Sequence, residues 1–169
     1  MTQRLDLSQG ARANASGKTF EDMLTPLFAN YGFELMTYRE FRDERGVMVH
    51  SGERIAVRNV PYQTIYGTPG RTEWVLYDPD GLGSVRIEVK TQQSAGSVDE
   101  KFPYMWLNAA LAYPEPHVIL LVQGNGFRAG ALEWLHARER EQWLVPHDKD
   151  ITVVDYGGFV VWFQHHVLP

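Results

Sequence analysis

With 169 residues, 44% apolar and 22% charged side chains, the chain has the make-up of one folded domain with a core, and wholesale disorder is not expected. No run approaches the ~20 apolar residues of a membrane span, the N-terminus lacks an apolar leader, and the absence of cysteine removes disulfides and cysteine-based metal sites or nucleophiles, so a cytoplasmic protein is expected. A net charge of −5 argues against a broad basic surface, although most Lys and Arg residues fall within the first 101 positions, where they could line a basic groove.

Residues 1–15 carry no pattern and read as a loose arm. Phe20, Met23, Leu24, Leu27, Phe28 and Tyr31 then make a helical stripe, with Ser16 or Thr19 to cap it and Gly32 to end it. Pro26 should kink or divide this helix. Glu21 lies at the margin of the stripe, placed to look into a cleft or simply to sit solvated in the first turn. Residues 33–38 read as a first strand, and the charged stretch 39–52 as a loop or ragged hairpin. Its Arg39, Arg42 and Arg45 could meet phosphates, though a charge run is more often a solvated face. Residues 54–60 read as a strand with Arg54 and Arg58 on one side, before Pro61 and the Gly67–Gly70 segment break the pattern. Tyr62 and Tyr66 could stack on nucleotides, packing beside a sheet being the commoner use.

Two strands follow, 71–78 and 84–92, around the turn formers Pro79, Gly81 and Gly83. The second alternates, with Val85, Ile87, Val89 and Thr91 on one face and Arg86, Glu88, Lys90 and Gln92 on the other. Folding the hairpin can bring Glu73 beside Glu88, giving two carboxylates with a lysine next to them. Residues 94–97 then cross to a helix through Phe102, Met105, Trp106 and Ala109, with Ser97 and Glu100 as a capping box and Lys101 near its start. Residues 117–122 form an apolar run expected of a strand buried on both faces, reached by a right-handed crossover. A helix over 130–143 follows, and 151–154 and 159–163 read as closing strands, or a strand and a packing segment.

Other chemistries are missing. The six histidines show no zincin spacing, and His165 and His166, read as strand neighbours, would point to opposite faces. No nucleophile elbow or dinucleotide fingerprint occurs, and Gly124-Asn125-Gly126 lacks the spacing and lysine of a phosphate loop.

Glu73 followed by Glu88-Val89-Lys90, with Gln92 two residues on, resembles the pattern of the PD-(D/E)xK nuclease superfamily, and the run from Tyr62 to Tyr104 is similar to small phage and restriction-type members. The first acid is Glu rather than Asp and no Pro precedes it, which keeps Asp78 and Asp80 as rival second acids. The resemblance implies an α/β core, a central mixed β-sheet flanked by helices, in one domain. It also implies a Mg2+- or Mn2+-dependent endodeoxyribonuclease with DNA as partner. In that role Glu73, Glu88 and the Val89 carbonyl would hold the cation, which offsets phosphate charge and acidifies water. Lys90 would orient or help deprotonate that water and Gln92 would steady it, while Glu21 is the glutamate an early helix often contributes. Arg54, Arg58, Arg71 and Lys101 are the candidates for DNA contact. A Holliday-junction resolvase, or a DNA-binding protein of the same fold without catalysis, are the alternatives. Symmetric cutting of a duplex would call for a homodimer.

Overall fold

The computed structural model describes residues 22–46 and 48–167. The expected cap residues Ser16 and Thr19, together with Phe20 and Glu21, lie outside the described residues. Helix α1 covers residues 22–30 and runs without a break through Pro26. Then come β1 (Glu34–Thr37), α2 (Tyr38–Glu44), β2 (Ile55–Gln63), β3 (Pro69–Asp78) and β4 (Gly83–Thr91). A single 3-10 turn (Asp99–Lys101) leads into α3 (Phe102–Leu111), followed by β5 (His117–Gln123), α4 (Ala129–Glu141), β6 (Asp150–Val154) and α5 (Tyr156–His166).

Among the described residues six strands lie side by side in chain order. β2, β3 and β4 form an antiparallel meander, while β1 joins β2, β5 joins β4 and β6 joins β5 in parallel. The sheet is therefore mixed, as expected. Its two faces are covered by different helices. Leu24 and Phe28 of α1 and Phe159 and Phe163 of α5 pack on Trp74, Leu76, Val85, Ile87, Val89, Ile119 and Leu121. On the other face, α3 and α4 cover Val118, Leu120, Val122, Ile151 and Val153, and Phe41 of α2 packs on Ile55, Val57 and Val75. The alternation of β4 is thus realised: Val85, Ile87 and Val89 enter the α1/α5 layer, and Arg86, Glu88 and Lys90 belong to the other face. β5 is buried on both faces because it lies in the middle of the parallel half, which explains its unbroken apolar run.

Beyond the unbroken α1, and an α3 start with no side-chain cap where Ser97 and Glu100 were expected to form one, three elements differ from the expectations. The stretch after Thr37 is helical rather than a loop, because Thr37 and Glu40 form a reciprocal capping box (Thr37 N donates to Glu40 Oε2 at 2.7 Å) and Phe41 is buried beneath it. Residues 159–163 belong to helix α5 and not to a strand. Asp155 caps it by accepting from Gly158 N at 2.7 Å, and Phe159 and Phe163, four apart, point together into the core. His165 and His166 consequently sit on a helix, each with Nδ1 2.7 Å from the carbonyl four residues back. Finally, β2 runs past Pro61 to Gln63. β1 pairs with β2 only as far as Arg58, so beyond that point β2 is an edge strand, where a missing N–H is tolerated.

Candidate active site on the parted hairpin

The β3–β4 ladder pairs Asp78 with Gly83 at the turn and Trp74 with Ile87 at its far end. Past that point the strands separate: β3 continues with β2 to the Gln63–Pro69 pair, and β4 continues with β5 to the Thr91–Gln123 pair. One step beyond Trp74 the register sets Glu73 level with Glu88. Glu73 reaches into the opening, where its Oε2 accepts the Val89 N–H at 2.8 Å, a hydrogen bond that would otherwise belong to the ladder.

Glu88 is buried, at 6% exposure, and both its oxygens are engaged. The Lys90 ammonium bonds Oε1, and the Tyr113 hydroxyl donates to Oε2 at 3.2 Å. Lys90 also donates to the Val89 carbonyl at 3.1 Å. A cation, the ammonium, therefore already rests on a Glu88 oxygen and on the Val89 carbonyl. Desolvation by the surrounding protein, and then the neighbouring charge of Glu88, push the Glu73 carboxyl up to about 7. The same desolvation works against a charged Lys90, but Glu88 and Glu73 outweigh it and hold the lysine above its ordinary value. Burial and the charge of Glu88 drive the Tyr113 phenol upward, so it remains a donor.

Beneath this cluster lies a buried ion pair on the same face. Arg86 is bidentate on Glu115 (Nε–Oε2 2.5 Å, Nη2–Oε1 2.7 Å), and its Nη1 donates to Thr72 Oγ1 at 2.7 Å. The guanidinium lies 5.1 Å from the centre of the Tyr113 ring and 5.7 Å from that of Tyr62, and the two tyrosines meet edge to face at 4.6 Å. Tyr113, Glu115 and the inward role of Arg86 were not foreseen. Tyr113-Pro114-Glu115 reads in the sequence only as the end of a helix, and nothing local marks its long-range partners.

Asp78 and Asp80 are not brought to Glu88. Asp78 is level with Gly83, five residues from Glu88 along β4, or about 17 Å at ~3.3 Å per residue. It is buried against Arg54 (3.2 Å), and Asp80 accepts from Ser51 Oγ at 2.6 Å. They border a cavity of about 610 Å3 with Tyr31 and His166, at the other end of the hairpin from Glu73. Gln92 is buried and consumed elsewhere: its Nε2 donates to Gly126 O at 2.6 Å and its Oε1 accepts from Val98 N at 2.8 Å, so it ties two loops together. Arg54 and Arg58 lie on the face opposite Glu88. Arg54 donates to Tyr31 O at 3.1 Å, and Arg58 donates to Thr25 Oγ1 at 2.9 Å and covers the Trp74 ring. Arg71 is exposed two residues from Glu73 on its own face, with Nη1 on Asn59 O at 3.2 Å, and Lys101 is exposed just ahead of α3. Arg39, Arg42 and Arg45 pair with acids nearby: Asp43 for the first two, Glu34 and Glu53 for the third.

No group of three or more His, Asp or Glu side chains able to hold a metal occurs among the described residues. The donors that do converge are two carboxylates and a backbone carbonyl. This all-oxygen set matches hard divalent cations, and the ammonium on two of those oxygens marks them as a cation position.

A mixed α/β sheet whose central meander carries an acid and, on the next strand, Glu-x-Lys defines a restriction-endonuclease-like protein. Residues 12–167 match the model of a PD-(D/E)XK nuclease superfamily domain, and the chain belongs to that superfamily. No curated protein and no solved structure matches it. Membership makes it a nuclease in general terms, with nucleic acid as its substrate class and divalent metals as the usual cofactors of its relatives. No helix among the described residues is long and apolar enough to cross a membrane.

Proposed function

We propose that this chain is a divalent-metal-dependent endodeoxyribonuclease that hydrolyses DNA phosphodiester bonds. The observation that carries the proposal is the convergence of Glu73, Glu88 and the Val89 carbonyl at the parted end of the hairpin, with Lys90 bridging two of them. Glu73, Glu88 and Val89 O would hold Mg2+ or Mn2+, which when bound supplies Lewis acidity toward the phosphate and a more acidic water. Lys90, kept charged by its two carboxylate neighbours, positions the attacking water and offsets charge on the nonbridging oxygens. Tyr113 holds the Glu88 carboxylate in place. Gln92 serves by fixing the loop that leaves β4 and not by touching the reacting atoms. Glu21, ahead of the described part of α1, remains a candidate third acid. Arg71 and Lys101 are better placed for phosphate than Arg54 and Arg58.

Purified protein should nick supercoiled plasmid with Mg2+ and stop when chelator is added. Lys90→Ala and Glu88→Gln should each slow cleavage by roughly 10²–10⁴ with the fold retained. Undiminished cleavage by either variant would overturn the assignment. Rates on a four-way junction against linear duplex separate a resolvase from a duplex cutter, and symmetric cutting would go with a homodimer.

A further inference from the structure

We infer that the β2–β3 turn supplies a base-binding subsite: Tyr66, stacked on Tyr104 of α3, is a platform for an unpaired nucleobase. This rests on the nuclease reading and names its substrate class, a nucleic acid with a single-stranded or splayed segment at the site.

Tyr66 is 73% exposed, although its ring lies nearly flat on Tyr104, with centroids 5.1 Å apart and planes 23° from parallel. One face of the ring is therefore covered and the other is open to solvent. The turn that carries it is firmly built. Thr64 is buried, and its hydroxyl accepts from Tyr66 N and Thr68 N, both at 3.3 Å, and meets the Thr68 hydroxyl at 2.8 Å. Gly67 takes a φ of 73°, which glycine adopts without strain. Asn108, buried on α3, joins the two ring carriers: its Oδ1 accepts from Ile65 N at 3.0 Å and its Nδ2 donates to Tyr104 O at 2.9 Å. A ring stacked on its neighbour and carried by a turn braced against α3, with its other face free, is preorganised to stack.

Its place in the fold links it to the parted hairpin. The turn closes the end of β2 and β3 at which β3 has left β4. Tyr62, four residues before Tyr66, touches Tyr113, the donor to Glu88, and lies within electrostatic reach of Tyr104, Glu88 and Lys90. Exposed Lys101, one helical turn before Tyr104, and exposed Arg71 add positive charge for a flanking phosphate. Inside a duplex both faces of every base are already stacked on neighbours. Only an end, a flap or an unpaired nucleotide can offer a face to this ring, and aromatic stacking of that kind tolerates any base.

The test is fluorescence anisotropy in chelator, where nothing is cut, with a labelled single strand, a blunt duplex and a duplex with splayed arms as probes. Tyr66→Ala should weaken binding of the single strand and the splayed duplex by about tenfold and leave the blunt duplex within about twofold. Tyr66→Phe, which keeps the ring, should bind and melt like the parent chain, and Tyr66→Ala should stay folded with its melting temperature lowered by no more than about 5 °C, since it gives up only the stack on Tyr104. Unchanged single-strand affinity in Tyr66→Ala, an equal loss on blunt duplex, a Phe variant as weak as the Ala variant, or no binding of any probe by the parent chain would each overturn the platform. Glu88→Gln, assayed for cleavage alongside, keeps the two ideas apart. If it cuts normally the hairpin assignment fails, whereas loss of cutting with no Tyr66 effect removes only the platform.

Discussion

Glu73→Gln should stabilise the protein at alkaline pH while abolishing cleavage, because the fold holds the Glu73 charge at a disadvantage. The carboxyl is raised from an ordinary 4.5 to about 7 by desolvation and by Glu88. At 1.36 kcal/mol per pKa unit the full shift would be on the order of 3 kcal/mol, and the partial solvent contact of Glu73 reduces this to roughly 1–3 kcal/mol. The sign follows from proton linkage. Between pH 4.5 and about 7 the folded state binds this proton more tightly than the unfolded chain does. The contribution is therefore complete below pH 4.5, declines as pH rises, and is gone above about 7. A glutamine keeps an oxygen to accept the Val89 N–H and has no charge to lose. The variant and parent should melt together near pH 4.5, and the variant should gain about 3–10 °C by pH 8. Thermal unfolding at several pH values between these limits reads the effect directly. A difference that is flat across pH, or that grows toward acid, would refute the reasoning.

Removing the Lys90 ammonium frees Glu88 Oε1 and the Val89 carbonyl, so Lys90→Ala should bind Mn2+ more tightly in a calorimetric titration even though it fails to cut; weaker binding would count against a shared cation position. Tyr113→Phe keeps the ring against Tyr62 and Arg86 but loses one donor to Glu88, which predicts about 1 kcal/mol less stability by denaturant titration and several-fold slower turnover at unchanged KM. Arg86→Met leaves Glu115 buried without its partner and should lower stability by about 3–5 kcal/mol, while adding Glu115→Leu should recover most of that loss. Gly124→Ala would set a Cβ 2.3 Å from the Gln92 carbonyl oxygen at a φ of 122°, and a drop of at least about 1–3 kcal/mol should be measurable by the same titration.

What could be read in the sequence was whatever depends on short periods and on counting outward from a turn. Strict alternation from Val85 onward gave β4 its two faces, and the Asp78–Gly83 turn made it possible to reckon Glu73 as the partner of Glu88. Gln92 shows where counting stops. It continues the alternation on paper, but β4 ends at Thr91, and its amide turns to Val98 and Gly126 instead. α2 was hidden because seven residues with one buried side chain display no period, and its charged residues masked the Thr37–Glu40 box. α5 was hidden by its β-formers, Val160, Val161 and Trp162, when the deciding fact was that Phe159 and Phe163 share a core with Phe28 over the central strands β3, β4 and β5. The Tyr113 and Glu115 contacts join positions 25 or more residues apart, and no local rule reaches that far.

The separation of β3 from β4 explains why the cluster sits where it does. Had the ladder continued, a β3 carbonyl would have taken the Val89 N–H, and Glu73 would have been one more outward side chain. Because β3 stays with β2, the Glu73 carboxylate takes that N–H instead, which both satisfies the backbone and fixes an acid beside Glu88. The Arg86–Glu115 pair below is internally balanced, so the charge left over belongs to Glu73, Glu88 and Lys90 and comes to −1 when all three are ionised. Desolvation first, and then the Glu88 charge that Lys90 only partly offsets, raise the Glu73 carboxyl to about 7. On the proposed assignment a dication reverses the balance to +1, which equals in magnitude the single negative charge of a phosphodiester. Without a dication Lys90 is the counter-charge: its ammonium lies on Glu88 Oε1 and the Val89 carbonyl and offsets part of the repulsion between the two carboxylates.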